Sequence, residues 1–245
     1  MNLVHGTQSN AGWPQFVRKK GGLAASQKAQ HLPWQSPGDR PQATGASFFF
    51  VGGPGPGRLP VMVPESRLES TDHGLVPVGD GWFVLNAREA RWYHTEGRSA
   101  ICEFEGRAEG EQDFLQLGIN LSVLRPGEFM AMYHWEADQE DFLVLAGEAL
   151  LIVEGEERPL RAWDFVHCPA GTKHVIVGAG DAPCVVLAVG ARDRSTGPDW
   201  GGYTVDEAAL RHGAGVDQET TDQHQAYAPF PKREPTGYRE GWLPE

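Results

Sequence analysis

Residues 134–141 read HWEADQED and hold one histidine and four acids: His134, Glu136, Asp138, Glu140 and Asp141. An apolar run, residues 142–146, follows at once. Acids crowded beside a buried run repel one another and are costly to desolvate. A bound cation offsets both effects. His174 comes forty residues after His134, just past the turn PAGTK. His134, Glu136, Glu140 and His174 together offer two imidazoles and two carboxylates. That mixed nitrogen–oxygen set suits divalent Mn, Fe, Ni or Zn, and two glutamates neutralise such an ion. The chemistry open to it is Lewis-acid activation of a small polar, oxygen-rich molecule, with Glu136 or Glu140 as candidate general base.

Positioning those side chains is a task for strands. Alternate residues of a strand face one side, so His134 and Glu136 share a face. The same period puts Glu140 with Phe142 and Val144, and the two apolar residues direct that face inward. Strands are expected near 115–124, 129–136, 140–146, 148–154, 158–161, 164–168, 174–178 and 183–190. Between them stand the turn signals Pro126-Gly127, Gly147, EGEE (154–157), PAGTK (169–173) and GAGDAP (178–183). Short strands broken every 8–12 residues describe an all-β, antiparallel barrel or jelly roll. Upstream, 99–106 alternates like a strand, and 81–94 suggests a short strand followed by a helical or turn segment. Residues 205–213 (VDEAALRHG) are expected to form a short helix, with acids in its first turn and Gly213 as its stop. The Pro-rich stretch 227–245 is expected to wrap the surface or to be loose.

Two patterns sharpen the fold. Residues 127–147 read G-x6-H-x-E-x3-E-x6-G, and residues 169–174 read P-x-G-x2-H. In order and spacing they resemble the two motifs of the cupin superfamily, through Gly127, His134, Glu140, Gly147, Pro169, Gly171 and His174. The resemblance covers about residues 113–192. It implies a small β-barrel with a metal inside, His134, Glu140 and His174 as ligands, and pairing into a homodimer. Three positions depart from the family pattern. Glu136 replaces the second histidine of motif one, Trp163 the leading glycine of motif two, and Gly178 its closing asparagine.

Composition bounds the rest. The chain has 245 residues and a formal charge of −12, which disfavours nucleic acid and anionic membrane as partners. Its 31 glycines and 18 prolines fit a turn-rich all-β chain. Cys102, Cys168 and Cys184 form no disulfide framework and point to reduced thiols in the cytoplasm. No apolar run approaches the ~18 residues of a membrane span. Residues 1–62 carry six basic side chains and one acid and are Gly/Pro-rich; they are expected to be a disordered basic extension, or a misplaced start upstream of Met62. The expected organisation is therefore that extension, flanking strands over 63–112, the barrel over 113–192, and a short helix and tail over 193–245. Two functions compete. One is a metal-dependent enzyme of isomerase or dioxygenase type; the other is a non-catalytic module that senses a metal or small molecule.

Overall fold

The structure, a computed structural model, describes residues 63–79, 81–104, 114, 116–192 and 200–245. The extension expected over 1–62 lies outside the described residues. Strands β1 (Arg67–Thr71) and β2 (Gly74–Val78) form a two-stranded sheet, and Leu75 of β2 bridges to Ala90. Then come β3 (Trp92–His94), β4 (Ala100–Glu103), β5 (Leu117–Leu124), β6 (His134–Glu136), β7 (Glu140–Ala146), β8 (Glu148–Val153), β9 (Glu156–Arg161), β10 (Phe165–Cys168), β11 (His174–Ala179) and β12 (Cys184–Ala191). The chain closes with β13 (Gly201–Tyr203), helices α1 (Glu207–Arg211) and α2 (Gln223–Ala226), and β14 (Glu234–Thr236).

Two antiparallel sheets face each other. One has the order β10-β7-β12-β5-β4-β3-β14, the other β13-β6-β11-β8-β9. Among the described residues no ladder joins them, so the jelly roll is an open barrel. Period-2 alternation fills the space between them with Leu124, Phe142, Val144, Leu151, Ile176 and Val186. Both outer faces are covered too. Val175 and Val177 of β11 pack outward on Phe129, Tyr203 and the alanines of α1. Trp92, Cys102, Val123 and Val185 pack outward beneath Trp242. A strand covered on both faces reads as a continuous apolar run, which is why VIV (175–177) does not alternate.

Local chemistry explains the joints. Gly147, alone between β7 and β8, has φ +75°, and a Cβ there would sit 2.6 Å from the Pro183 carbonyl oxygen. Only glycine serves both needs. Trp163 occupies a left-handed position as well, at φ 76°. Its N–H donates to the Val144 carbonyl at 2.7 Å, which holds a turn where the cupin motif has glycine. Helix α1 falls inside the expected 205–213: the Asp206 carboxylate caps it by accepting from the Ala209 N–H at 2.8 Å, and Gly213 follows at φ 68°.

Three expectations are decided by the structure. The strand expected over 129–136 is reduced to β6. The Met132 N–H donates to the Tyr227 hydroxyl at 3.1 Å and the Tyr133 N–H to the Ala214 carbonyl at 2.7 Å. Donors that a ladder would use are thus held by the C-terminal segment. β13 joins β6, and of the two expectations for 227–245, wrapping the surface or lying loose, the structure has the first: β14 joins β3 at the sheet edge, and Trp242 is buried against Trp92 with ring centroids 5.0 Å apart. The strand within 81–94 comes last rather than first, as β3.

Candidate metal centre

His134 and His174 lie directly across the β6–β11 ladder from each other. Their ring centroids are 5.0 Å apart, and both side chains are buried. The His134 Nδ1 sits 2.8 Å from the Met132 carbonyl oxygen and the His174 Nδ1 3.0 Å from that of Thr172. A carbonyl oxygen only accepts, so each Nδ1 carries the hydrogen and each Nε2 presents its lone pair. Glu140, at the start of β7 in the facing sheet, brings Oε2 to 3.3 Å from His174 Nε2 and 3.8 Å from His134 Nε2. Ligand atoms of His134, Glu140 and His174 all fall within 4.8 Å of one another. Glu136 shares the face of His134, as period 2 requires, with Oε1 3.8 Å from His134 Nε2. Its side chain is 30% exposed against 14% for Glu140, so it stands at the open side of the group.

The fit to a cation rests on orphaned atoms. Glu140 Oε2 and His174 Nε2 are buried and make no hydrogen bond among the described residues. Buried polar atoms in that condition are costly, and an ion between them would satisfy both. Burial, reinforced by Glu136, pushes the Glu140 carboxyl up to about 7. Burial, with His134 beside it, pushes His174 down to about 4. Burial alone would lower His134 also, but the Glu136 and Glu140 carboxylates outweigh it and raise its pKa. The sign for metal loading follows. An ion must displace the proton that Glu140 holds below about 7. Affinity is therefore expected to weaken as pH falls, by about tenfold per unit for the Glu140 proton and more steeply where His134, its own pKa raised, must release one as well. Calorimetric titration of Mn2+ between pH 5 and 8 checks this.

The group opens into a cavity of about 480 Å³ between the sheets. Asn120 and Ser122 of β5 and Glu103 of β4 line it from one side, and Phe142 and Ile176 form its apolar floor. Asp141, one residue from Glu140, points the other way and pairs with His167 Nδ1 at 2.6 Å. Asp138 is not among the cavity residues. Cys168 is buried in the core, its thiol pushed up to about 11 by burial, which suits packing rather than nucleophilic attack. Trp200, Tyr203, Gln223, Tyr227 and Arg233 also line the cavity. Sequence reasoning missed all five; the one cue was WGGY (200–203), two aromatics around a glycine pair.

The cupin domain family model matches residues 120–190. No curated protein matches the chain. Similar solved structures include a sugar phosphate isomerase from a cupin superfamily of Silicibacter pomeroyi DSS-3, at 30% identity and a TM-score of 0.33, covering 43% of this chain and 62% of that one. DMSP lyase DddQ of Ruegeria pomeroyi DSS-3 is 26% identical at a TM-score of 0.33, covering 41% of this chain and 50% of that one. A Cupin 2 conserved barrel domain protein of Salinispora arenicola CNS-205 is 21% identical at a TM-score of 0.35, covering 42% and 82%. The chain thus spans less than two thirds of the first two. Among the described residues no helix is long and apolar enough to cross a membrane. With the two motifs brought together on β6, β7 and β11 of a jelly roll and the family model laid over the same residues, this chain carries a cupin domain at 120–190.

Proposed function

We propose that the protein is a divalent-metal enzyme acting on a small polar, oxygen-rich molecule by isomerase-type chemistry, as a cytoplasmic homodimer. The observation that carries this reading is the pair of orphaned buried atoms, Glu140 Oε2 and His174 Nε2, at the wall of a polar cavity. His134, Glu140 and His174 would hold the ion. A bound divalent ion would supply a Lewis acid that polarises the oxygens of the substrate. The chain's own residues do the rest. Met132 and Thr172 fix the two imidazoles through their carbonyl oxygens. Phe142 backs the His174 ring at 5.2 Å and keeps that side dry. Glu140 is enclosed between the histidines and suits a ligand. Glu136, more exposed and on the cavity side, suits a base that takes a proton from one substrate atom and returns it to another.

Glu136→Gln separates the two roles. As base, the amide variant is expected to bind Mn2+ within about threefold of the wild type while losing turnover by ~100-fold or more. Metal affinity reduced beyond tenfold would instead make Glu136 a fourth ligand. A wild-type chain that takes up no divalent ion on titration would overturn the reading as a whole.

A further inference from the structure

The match to the cupin domain ends at residue 190, yet the cavity is completed by residues beyond it. Beside Tyr203, whose ring lies 6.0 Å from that of His134, the residue that reaches the ligand cluster is Trp200. Its indole centroid lies 6.2 Å from the His134 ring and 5.2 Å from that of Tyr203. Both its backbone and its ring are tied to neighbouring segments. Its carbonyl oxygen accepts from the Ala137 N–H at 2.8 Å, and its indole N–H donates to the Thr221 carbonyl at 3.3 Å. The next residue explains how the segment comes so close. A Cβ on Gly201 would stand 2.0 Å from the Trp135 carbonyl oxygen, so β13 can pair with β6 only because glycine is there. Tyr203 then stacks edge-on against Tyr227 at 5.7 Å, and Tyr227 in turn holds the Met132 N–H.

The consequence is chemical. With its N–H bonded to Thr221, Trp200, 37% exposed, lines the cavity with apolar ring surface rather than a hydrogen-bond donor. The sheet facing it supplies the opposite character: Asn120, Ser122 and the Glu103–Arg233 ion pair. A large apolar surface fixed beside a polar, metal-type centre selects a ligand with a flat face and oxygen donors at one edge. We propose that Trp200 is the specificity-determining residue of the site and that it selects ring substrates bearing two adjacent oxygens, the oxygens directed to His134, Glu140 and His174 and the ring face against the indole. The inference rests on the metal reading above, but its test separates the two.

The full chain is titrated with Mn2+ first, as wild type, Trp200→Ala and Trp200→Phe. Each Mn2+-loaded form is then titrated under nitrogen with catechol, with a methyl pyranoside, and with oxalate, which has two oxygens and no ring. All three proteins are expected to bind Mn2+ and oxalate alike, within about threefold. At least one ring probe is expected to bind about three- to tenfold more weakly to Trp200→Ala, the range of a lost stacking contact, and Trp200→Phe to recover most of that loss. Response to catechol alone identifies an aromatic ring, to the pyranoside alone a sugar ring; either supports the proposal. Equal weakening for oxalate would mean that Trp200 merely shapes the site, and the proposal fails. It fails also if neither ring probe binds, or if both bind Trp200→Ala as well as wild type, with the metal reading intact. If wild type takes up no Mn2+, both readings fall at the first titration.

Discussion

His174→Ala is expected to abolish metal binding at micromolar protein while leaving the jelly roll folded. The buried Nε2 lies 3.3 Å from Glu140 Oε2 and makes no hydrogen bond among the described residues. Alanine deletes one of three clustered donors. Loss of an outer partner of a metal ligand costs 10- to 100-fold in affinity, so loss of a ligand itself is expected to exceed ~100-fold. The fold should tolerate it. β11 keeps its six-residue ladder with β8, and Val175, Ile176 and Val177 keep their packing on both faces. The readout is twofold. Elemental analysis should find metal in the wild type and little in the variant. Mn2+ at a hundred times its Kd stabilises the native state by about 2.7 kcal/mol, and that metal-dependent rise in Tm should vanish in the variant. A variant that binds Mn2+ like the wild type would show that the ion, if any, sits elsewhere.

Trp242→Ala should unfold the protein more readily than any change at the cavity. Trp242 is 4% exposed and packs on Trp92, which is fully buried, and on Tyr238 at 6.2 Å in edge geometry. Truncating a buried tryptophan to alanine costs about 3–5 kcal/mol through lost transfer free energy and the cavity left behind. The effect reaches the site through one sheet. Trp92 belongs to β3, β3 pairs with β4, and β4 carries Ile101 and Glu103 into the cavity, where Glu103 pairs with Arg233 from the same C-terminal segment. Urea denaturation followed by far-UV circular dichroism measures the loss. A change below about 0.5 kcal/mol, the level of ordinary surface substitutions, would mean that residues 227–245 lie loosely on the sheet.

What the sequence determined by itself is the part governed by local period and local turn chemistry. Strands β7, β8, β11 and β12 lie within a residue or two of their expected bounds, because four or more residues suffice to show alternation or a buried run between glycine turns. Period 2 alone put His134 beside Glu136, and Glu140 with Phe142, on inward faces. His134, Glu140 and His174 were legible as a set through their match in order and spacing to the cupin motifs. Tertiary structure decided what local pattern cannot encode. The three-residue strands β3, β13 and β14 are too short to show a period, and β6, equally short, was legible only through His134 and Glu136. β14 contains Pro235, which reads as a strand breaker but is tolerated where β14 forms the sheet edge. WGGY reads as a turn, yet its glycines serve a close approach to Trp135 that exists only once β6 and β13 are paired. The difference in exposure between Glu136 and Glu140, and so their division into candidate base and candidate ligand, depends on a cavity wall built by residues 200–233. Those residues meet β6 only through long-range pairing, and nothing local in the chain specifies that contact.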